Sequence, residues 1–200
     1  MPPNHPNWVL RADRIHKSFT VHTLGGKDIE ELAQISRTHG IPLASHDDDT
    51  PEKVAWMHRL GVRISEFPVR MEAARAARQH GMHVLMGAPN ILRGHSLTGN
   101  LSGRRTIEKG CCDVIASDFA PMSLLHAVFT LSRLGARPLH ELVRMVTTHP
   151  AEVLGIDEEV GSIEQGKRAD LILIDPTAPV PRITQTYAAG HPSSPPPNNT

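Results

Sequence analysis

The chain has 200 residues, and its 21 Lys and Arg residues balance 21 Asp and Glu residues, so the formal net charge is +0 with histidine neutral. This balance excludes a general electrostatic attraction to nucleic acid or anionic membranes, and no apolar run reaches the roughly 18 residues of a membrane span. We therefore expect neither nucleic acid nor a membrane as a partner. The start of the chain predicts no secretory signal, and the adjacent Cys111 and Cys112 cannot connect distant segments. These features are typical of a cytoplasmic protein.

The chain begins with a segment that predicts no regular structure. Three early prolines and the Gly25-Gly26 pair interrupt residues 1–27. From Asp28, the sequence DIEELAQISRTHG places apolar residues at helical spacing and ends in Gly40. This pattern predicts a helix.

Four short apolar runs follow, at 41–45, 62–65, 83–87 and 113–117, with amphipathic segments between and after them. Short buried strands joined by crossover helices indicate parallel pairing. We therefore predict an α/β fold that contains the last four βα units of a (β/α)8 TIM-type barrel, since a complete barrel needs about 250 residues. A doubly wound open sheet is the alternative, although it usually carries a glycine-rich phosphate turn that this sequence lacks.

The end of the chain differs in pattern from the βα units. VGSIEQGKRADLILIDP predicts turns followed by one strand, which we assign as the return strand of a small β-sandwich. The proline-rich stretch after it predicts a disordered tail. The predicted domains are an N-terminal remnant, a half barrel, a sandwich segment and a tail, at residues 1–27, 28–155, 156–176 and 177–200.

Polar side chains follow each of the four apolar runs. His46 follows the first run, Glu66 the second, Asn90 the third and Asp118 the fourth. Catalytic groups of (β/α)8 barrels lie at the carboxyl ends of their strands. The pattern therefore predicts one functional site at this edge of the sheet.

The ordered motifs ASHDD, ISEFP, MGAPNILRG, ASDFAP and GSIEQGKRADLILID resemble those of the amidohydrolase superfamily, and more narrowly its phosphonate-metabolism branch. The resemblance covers residues 28 to 177. It implies a metal-bearing barrel attached to a small β-sandwich built from both chain ends. The branch's first-strand histidine motif, and a glutamate whose position falls on Thr20, are missing here, which indicates a fragment or a truncated chain.

The resemblance also implies roles for three of the polar side chains. Asp118 would be the catalytic base and a metal ligand, with His46 and Glu66 as further ligands of zinc or manganese. The residues alone leave other roles open. His46 is also consistent with a loop cap, Asp118 with the start of a turn, and Glu66 with an ion pair to Arg63 or Arg70.

The GAPNILRG segment is predicted to be a substrate-binding loop. A guanidinium group offers two parallel donors to a phosphate, so Arg93 suits a phosphorylated substrate, although a plain surface loop is the alternative. Leu97 stands where the branch has a histidine, and a histidine occurs two positions earlier. The residues predicted to bind substrate are Asn90, Arg93, His95 and Asn100.

The resemblance, together with the missing motifs, implies three alternative functions. The first is a metal-dependent hydrolase that releases diphosphate from a ribose methylphosphonate triphosphate, and the GAPNxxRG segment favours it. The second is an inactive relic, or a half barrel that works only with a complementary chain. The third is hydrolysis of non-peptide C–N bonds. We expect a small phosphorylated substrate as partner, together with self-association or a missing N-terminal half.

Overall fold

The structure, a computed structural model, describes residues 26–97, 99–177 and 180–193. The chain divides into two compact units, residues 1–41 and 42–200. The described part of the first unit contains helix α1, Gly26–His39, which begins two residues before the predicted start at Asp28. Residues 1–25 of the predicted irregular segment, including Thr20, lie outside the described residues.

The second unit begins with strands that alternate with helices. Its first elements are β1 (Ala44–His46), α2 (Pro51–Arg59), β2 (Ile64–Glu66), α3 (Met71–Gln79), β3 (His83–Gly87), α4 (Ala88–Arg93), α5 (Gly103–Glu108) and β4 (Val114–Ala116). The later elements are α6 (Ser123–Arg133), α7 (Leu139–Arg144), α8 (Thr148–Leu154), β5 (Leu171–Asp175), β6 (Arg182–Ala188) and β7 (His191–Pro192).

The first sheet has the order β1-β2-β3-β4, and every neighbouring pair is parallel. Spatial order follows chain order without a reversal, so these strands form no switch point of the doubly wound kind. The prediction of a partial barrel of four βα units is confirmed. All four strands end at the same edge, as the predicted site requires.

Local sequence explains the helices beside β1 and β2. Thr50 caps α2 because its side chain accepts a hydrogen bond from the Lys53 amide at 3.2 Å, and Pro51 occupies the first turn. Helix α3 buries a face made only of alanine, which allows a close approach to its neighbours. Its buried residues are Ala73, Ala74, Ala76 and Ala77.

Two helical predictions were wrong in detail. Residues 88–93, predicted as a loop, form α4, which ends at Gly94 in a left-handed conformation with φ 84°. Residues 139–155, which belong to the amphipathic sequence after the fourth apolar run, form two helices, α7 and α8, instead of one continuous helix. Pro150 explains the break, because it has no amide proton for the Val146 carbonyl and therefore fits only the first turn of a new helix.

The apolar core of the second unit has two clusters. One is centred on Met86, Ile91, Ile107 and Leu131, and the other on Val54, Met82 and Val84 with the alanine face of α3. Cys111 and Cys112 are buried in these clusters. Burial raises the pKa of the Cys112 thiol, so this group stays protonated at neutral pH.

A second sheet has the order β5-β6-β7 with antiparallel pairing. The predicted strand at the end of the chain is confirmed as β5. The prediction of a disordered tail is wrong for Arg182–Ala188 and His191–Pro192, which form β6 and β7. Strand β6 pairs with all five residues of β5, a long-range partner that local composition does not reveal. The other predicted domain boundaries stay predictions.

No helix in the described part of the chain is long and apolar enough to cross a membrane.

Candidate functional site

A cavity of about 200 Å³ lies at the carboxyl edge of the parallel sheet. The turns and helices that follow the strands supply its walls. Among its lining residues are Asp47, Phe67, Pro68, Met86, Gly87, Asn90, Arg93, Leu97, Asn100 and Asp118. Each of the four strand ends thus contributes lining residues. Of the side chains predicted to form the site, Asn90 and Asp118 line the cavity, and His46 and Glu66 do not.

His46 lies beside this cavity at the end of β1. Its Nδ1 atom is 3.2 Å from the Asp47 carboxylate, and its ring meets the Phe67 ring edge-on, with 5.4 Å between centroids. Asp47 and Phe67 both line the cavity. The strand register places His46 directly opposite Glu66 on β2. The imidazole thus stands beside the cavity with the Asp47 carboxylate next to it.

Asp118 reaches the cavity from the turn after β4. A Cβ atom placed on Gly87 would lie 3.5 Å from both the Asp118 Oδ2 atom and the Phe67 ring. Any side chain at Gly87 would therefore occupy space beside these two groups. These distances are ordinary van der Waals contacts, and they place the Asp118 carboxylate and the Phe67 ring beside the end of β3.

The turns at three strand ends share one backbone conformation. Asp47, Phe67 and Asp118 have φ values of 53°, 51° and 53°. Left-handed backbone is uncommon outside glycine and costs on the order of 1 kcal/mol or more, which the surrounding structure must offset. Such residues cluster at functional sites. These three all line the cavity.

Glu66 forms no ion pair with Arg63 or Arg70 in the part of the chain that the structure describes. The structural role considered for this side chain is therefore not observed. In the register of the sheet, Glu66 pairs with His46 on β1. Its backbone carbonyl accepts a hydrogen bond from the Asp47 amide at 3.0 Å.

The residues predicted to bind substrate are placed differently from one another. The Asn90 amide donates to the Leu101 carbonyl at 3.1 Å and accepts from the Gly103 amide at 2.9 Å, so it holds the loop after α4. Arg93 and Asn100 line the cavity and are exposed. His95 is exposed but does not line the cavity.

A group that sequence analysis missed lies directly under the β1 turn. Asp48 is fully buried and accepts hydrogen bonds from the serine hydroxyls of Ser45 and Ser65. These serines occupy matching positions on β1 and β2. A serine at the same place in both strand motifs, followed by consecutive aspartates, is a signal that could have indicated this contact.

The predicted metal ligands do not form a complete set on this chain. Among the described residues, no group of three His, Cys, Asp or Glu side chains could hold a metal ion. Catalytic metals usually have about three protein ligands and an open position. His46, Glu66 and Asp118 supply suitable donor atoms at one edge, but they do not fit a metal by themselves.

The sequence is similar to a known protein family and to individual members of it. The sequence pattern of the family described as Amidohydrolase family matches residues 9–195. The chain is 46% identical over 146 residues to alpha-D-ribose 1-methylphosphonate 5-triphosphate diphosphatase from Escherichia coli (strain K12), an alignment that covers 72% of this chain and 38% of that protein.

Two solved structures share the fold. One is an amidohydrolase from Thermotoga maritima, with a TM-score of 0.66, 19% identity, and coverage of 94% of this chain and 52% of the other. The second is an adenosine deaminase from Xanthomonas campestris with bound zinc, with a TM-score of 0.61, 18% identity, and coverage of 92% and 55%. The chain thus spans about half the length of these structures, and less of the diphosphatase.

Proposed function

The chain belongs to the amidohydrolase family, and on that premise we propose that it carries the later half of the barrel of a metal-dependent hydrolase of phosphonate metabolism. The proposed reaction releases diphosphate from alpha-D-ribose 1-methylphosphonate 5-triphosphate. The 46% identity to the E. coli diphosphatase is the observation that carries this proposal. We expect the enzyme to act in the cytoplasm.

The side chains around the cavity suit parts of this reaction. A carboxylate such as Asp118 accepts a proton from the water that attacks phosphorus. Arg93 lines the cavity and offers paired donors to phosphate oxygens. Asn100 adds an amide donor at the same cavity. Asn90 instead positions the loop that carries these groups, because backbone atoms already engage its amide.

A divalent metal, zinc or manganese, belongs to the proposal, with His46, Glu66 and Asp118 as this chain's donors. Because these donors do not form a complete set, we derive no step through the metal. The remaining ligands would come from outside the described residues. We therefore propose that the chain works with a complementary half and that it has little activity alone.

The first test is an assay of diphosphate release by the purified chain with added zinc or manganese, beside the E. coli enzyme. We expect the chain alone to be slower by about 100-fold or more, since small errors in the placement of catalytic groups already cost that much. Robust turnover by a monomer, abolished by His46→Ala, would overturn the proposal that the site is incomplete.

The second test concerns the triphosphate. Inorganic triphosphate is titrated into the chain by calorimetry, and Arg93→Ala should weaken its binding by about tenfold, the effect of losing one charged hydrogen-bonding group. Arg75→Ala, which removes an exposed arginine from α3, is the matched control and should bind as the unchanged chain does. Equal losses in both variants would indicate attraction by general charge and would contradict the assignment of Arg93.

A further inference from the structure

A buried ion pair lies beneath the turn that follows β1. The Asp48 side chain is 0% exposed, and its Oδ2 atom accepts hydrogen bonds from Ser45 Oγ at 2.6 Å and Ser65 Oγ at 2.5 Å. The other oxygen, Oδ1, has no hydrogen bond but lies 3.4 Å from the Lys53 ammonium. Burial of a carboxylate costs several kcal/mol unless charge and hydrogen bonds compensate it. This site supplies both.

The same ammonium also holds the backbone of the turn. Lys53 Nζ donates to the carbonyl oxygens of His46 and Asp47, both at 3.0 Å. Asp47, which lies between His46 and Asp48, has the left-handed backbone conformation. Lys53 reaches this point because Thr50 begins α2 immediately after the turn. One cation therefore joins the buried carboxylate to a backbone that would otherwise be unfavourable.

The ion pair does not itself face the cavity. Along β1, Ser45 is buried while His46 is exposed, so these neighbours point to opposite faces of the sheet. Asp48 bonds to the serines on the buried face, and neither Asp48 nor Lys53 lines the cavity. This placement excludes direct contact with a ligand bound there.

We propose that Asp48 and Lys53 are positioning residues, which hold the turn at 46–48 and thereby set the place of the His46 imidazole and the Asp47 carboxylate at the cavity. The importance of these two residues for catalysis rests on the proposed function. Their effect on the positions of His46 and Asp47 does not depend on that function. The Asp47 amide is bonded to Glu66 O at 3.0 Å and the Asp48 carbonyl to the Val69 amide at 2.9 Å, so the turn is also tied to the end of β2. Lys53, which belongs to α2, connects the turn to that helix through its contacts with His46, Asp47 and Asp48.

The experiment follows the carbon-bound ring protons of His46 by NMR in the full chain, with the signal assigned through His46→Gln. The Phe67 ring lies edge-on to this imidazole, so movement of either ring changes the chemical shift. We expect Lys53→Met to shift or broaden the signal and Lys53→Arg to restore most of its position. Lys109→Met, at an exposed lysine after α5, is the matched control and should leave the signal unchanged.

A loss of stability alone must be distinguished from a loss of position. Ile107→Val removes a methylene group from the core cluster centred on Met86, Ile91, Ile107 and Leu131. This variant should lower the melting temperature without moving the His46 signal. If Lys53→Met does not fold, Asp48→Asn serves instead, because it keeps the size of the side chain and removes its charge. The proposal is overturned if either folded variant leaves the His46 signal in place.

The proposed function can fail separately. If the unchanged chain binds no triphosphate, the assignment of the cavity to that substrate fails, while the NMR comparison still decides the role of Lys53 and Asp48.

Discussion

Three residues that are not glycine adopt left-handed backbone at the ends of β1, β2 and β4, and all three line the cavity. A bulky residue such as Phe67 rarely adopts this conformation, so tertiary contacts must maintain it. The sequence motifs place polar groups at these strand ends, but they do not reveal the conformation. Because the side chains face a common cavity, we regard the strained turns as part of the site rather than as isolated irregularities.

The Asn90 side chain shows what a residue type alone leaves open. In the sequence, an asparagine in a glycine-flanked segment suits contact with a phosphate group. The structure uses both ends of its amide to fasten the loop at 101–103. Arg93, one helical turn later, keeps its donors at the cavity.

The stacked imidazoles of His58 and His80 lead to a prediction about pH. Their ring centroids are 4.9 Å apart. Burial first, and then the charges of His80 and Arg63, lower the pKa of His58 below the usual 6.5. The folded state therefore binds this proton less readily than the unfolded state, so its contribution to stability is complete above about pH 6.5 and is lost as the pH falls below that value.

We expect the melting temperature to be lower at about pH 5.5 than at about pH 7.5, and His58→Asn to reduce this difference. Calorimetry at both pH values measures the effect. His140→Asn, at an exposed histidine on α7, should retain the full difference. An unchanged pH dependence in His58→Asn would show that other groups cause it.

At the scale of elements, helix α5 approaches α4 closely because residue 103 is glycine. A Cβ atom at this position would lie 2.7 Å from Ile91 Cγ1, closer than packed side chains allow. The loop between the helices is therefore held by both the Asn90 amide and this close packing. Arg104 adds hydrogen bonds from its guanidinium to the carbonyls of Ile91 and Leu92, both at 2.6 Å.

Because β6 and β7 belong to the second sheet, the end of the chain is expected to contribute to stability. Strand β5 is apolar along most of its length, and in the described chain its neighbour in the sheet is β6. Truncation after Thr177 would remove β6 and β7 and expose the backbone of β5. Unpaired apolar strand edges favour association with other chains.

We therefore expect the chain truncated after Thr177 to have a lower melting temperature and to aggregate more readily than the full chain. Calorimetry and size-exclusion chromatography measure the two effects. A chain truncated after residue 193, which keeps β6 and β7, is the control for length. Equal melting temperatures in all three would show that β6 contributes nothing to stability.

At the scale of the molecule, the second unit exposes a large apolar groove, which we define as the space between α6–α8 and the β5–β6 pair. Its volume is about 1350 Å³. Ile163 at its margin is 87% exposed, and Leu154 and Val180 are about half exposed. Contiguous apolar surface of this kind is uncommon on monomeric proteins and promotes association.

We expect the purified chain to form oligomers whose proportion rises with concentration, and Ile163→Lys to reduce that proportion. Light scattering after size-exclusion chromatography measures it. Gln165→Lys adds the same charge two residues away and retains the isoleucine, so it should associate as the unchanged chain does. An equal reduction in both variants would assign the effect to charge instead of to the apolar groove.

The sequence by itself determined the four parallel strands, the order of the strand-end motifs and the family, because each depends on local periodicity or on residues adjacent in the chain. The four apolar runs overlap β1 to β4, although β1 and β2 each begin and end later than the run that predicts them. The roles of His46, Glu66 and Asp118 remain predictions, since position at one edge does not establish chemistry.

Only the tertiary structure decided which groups meet. Helix α4, the separation of α7 from α8, and the pairing of β6 with β5 depend on partners distant in sequence or on a single proline. The same is true of the buried Asp48, whose carboxyl group is surrounded by two serines from adjacent strands and a lysine from α2. Composition predicts that such a charge avoids the core, and folding places it there because its compensating groups arrive from three different elements.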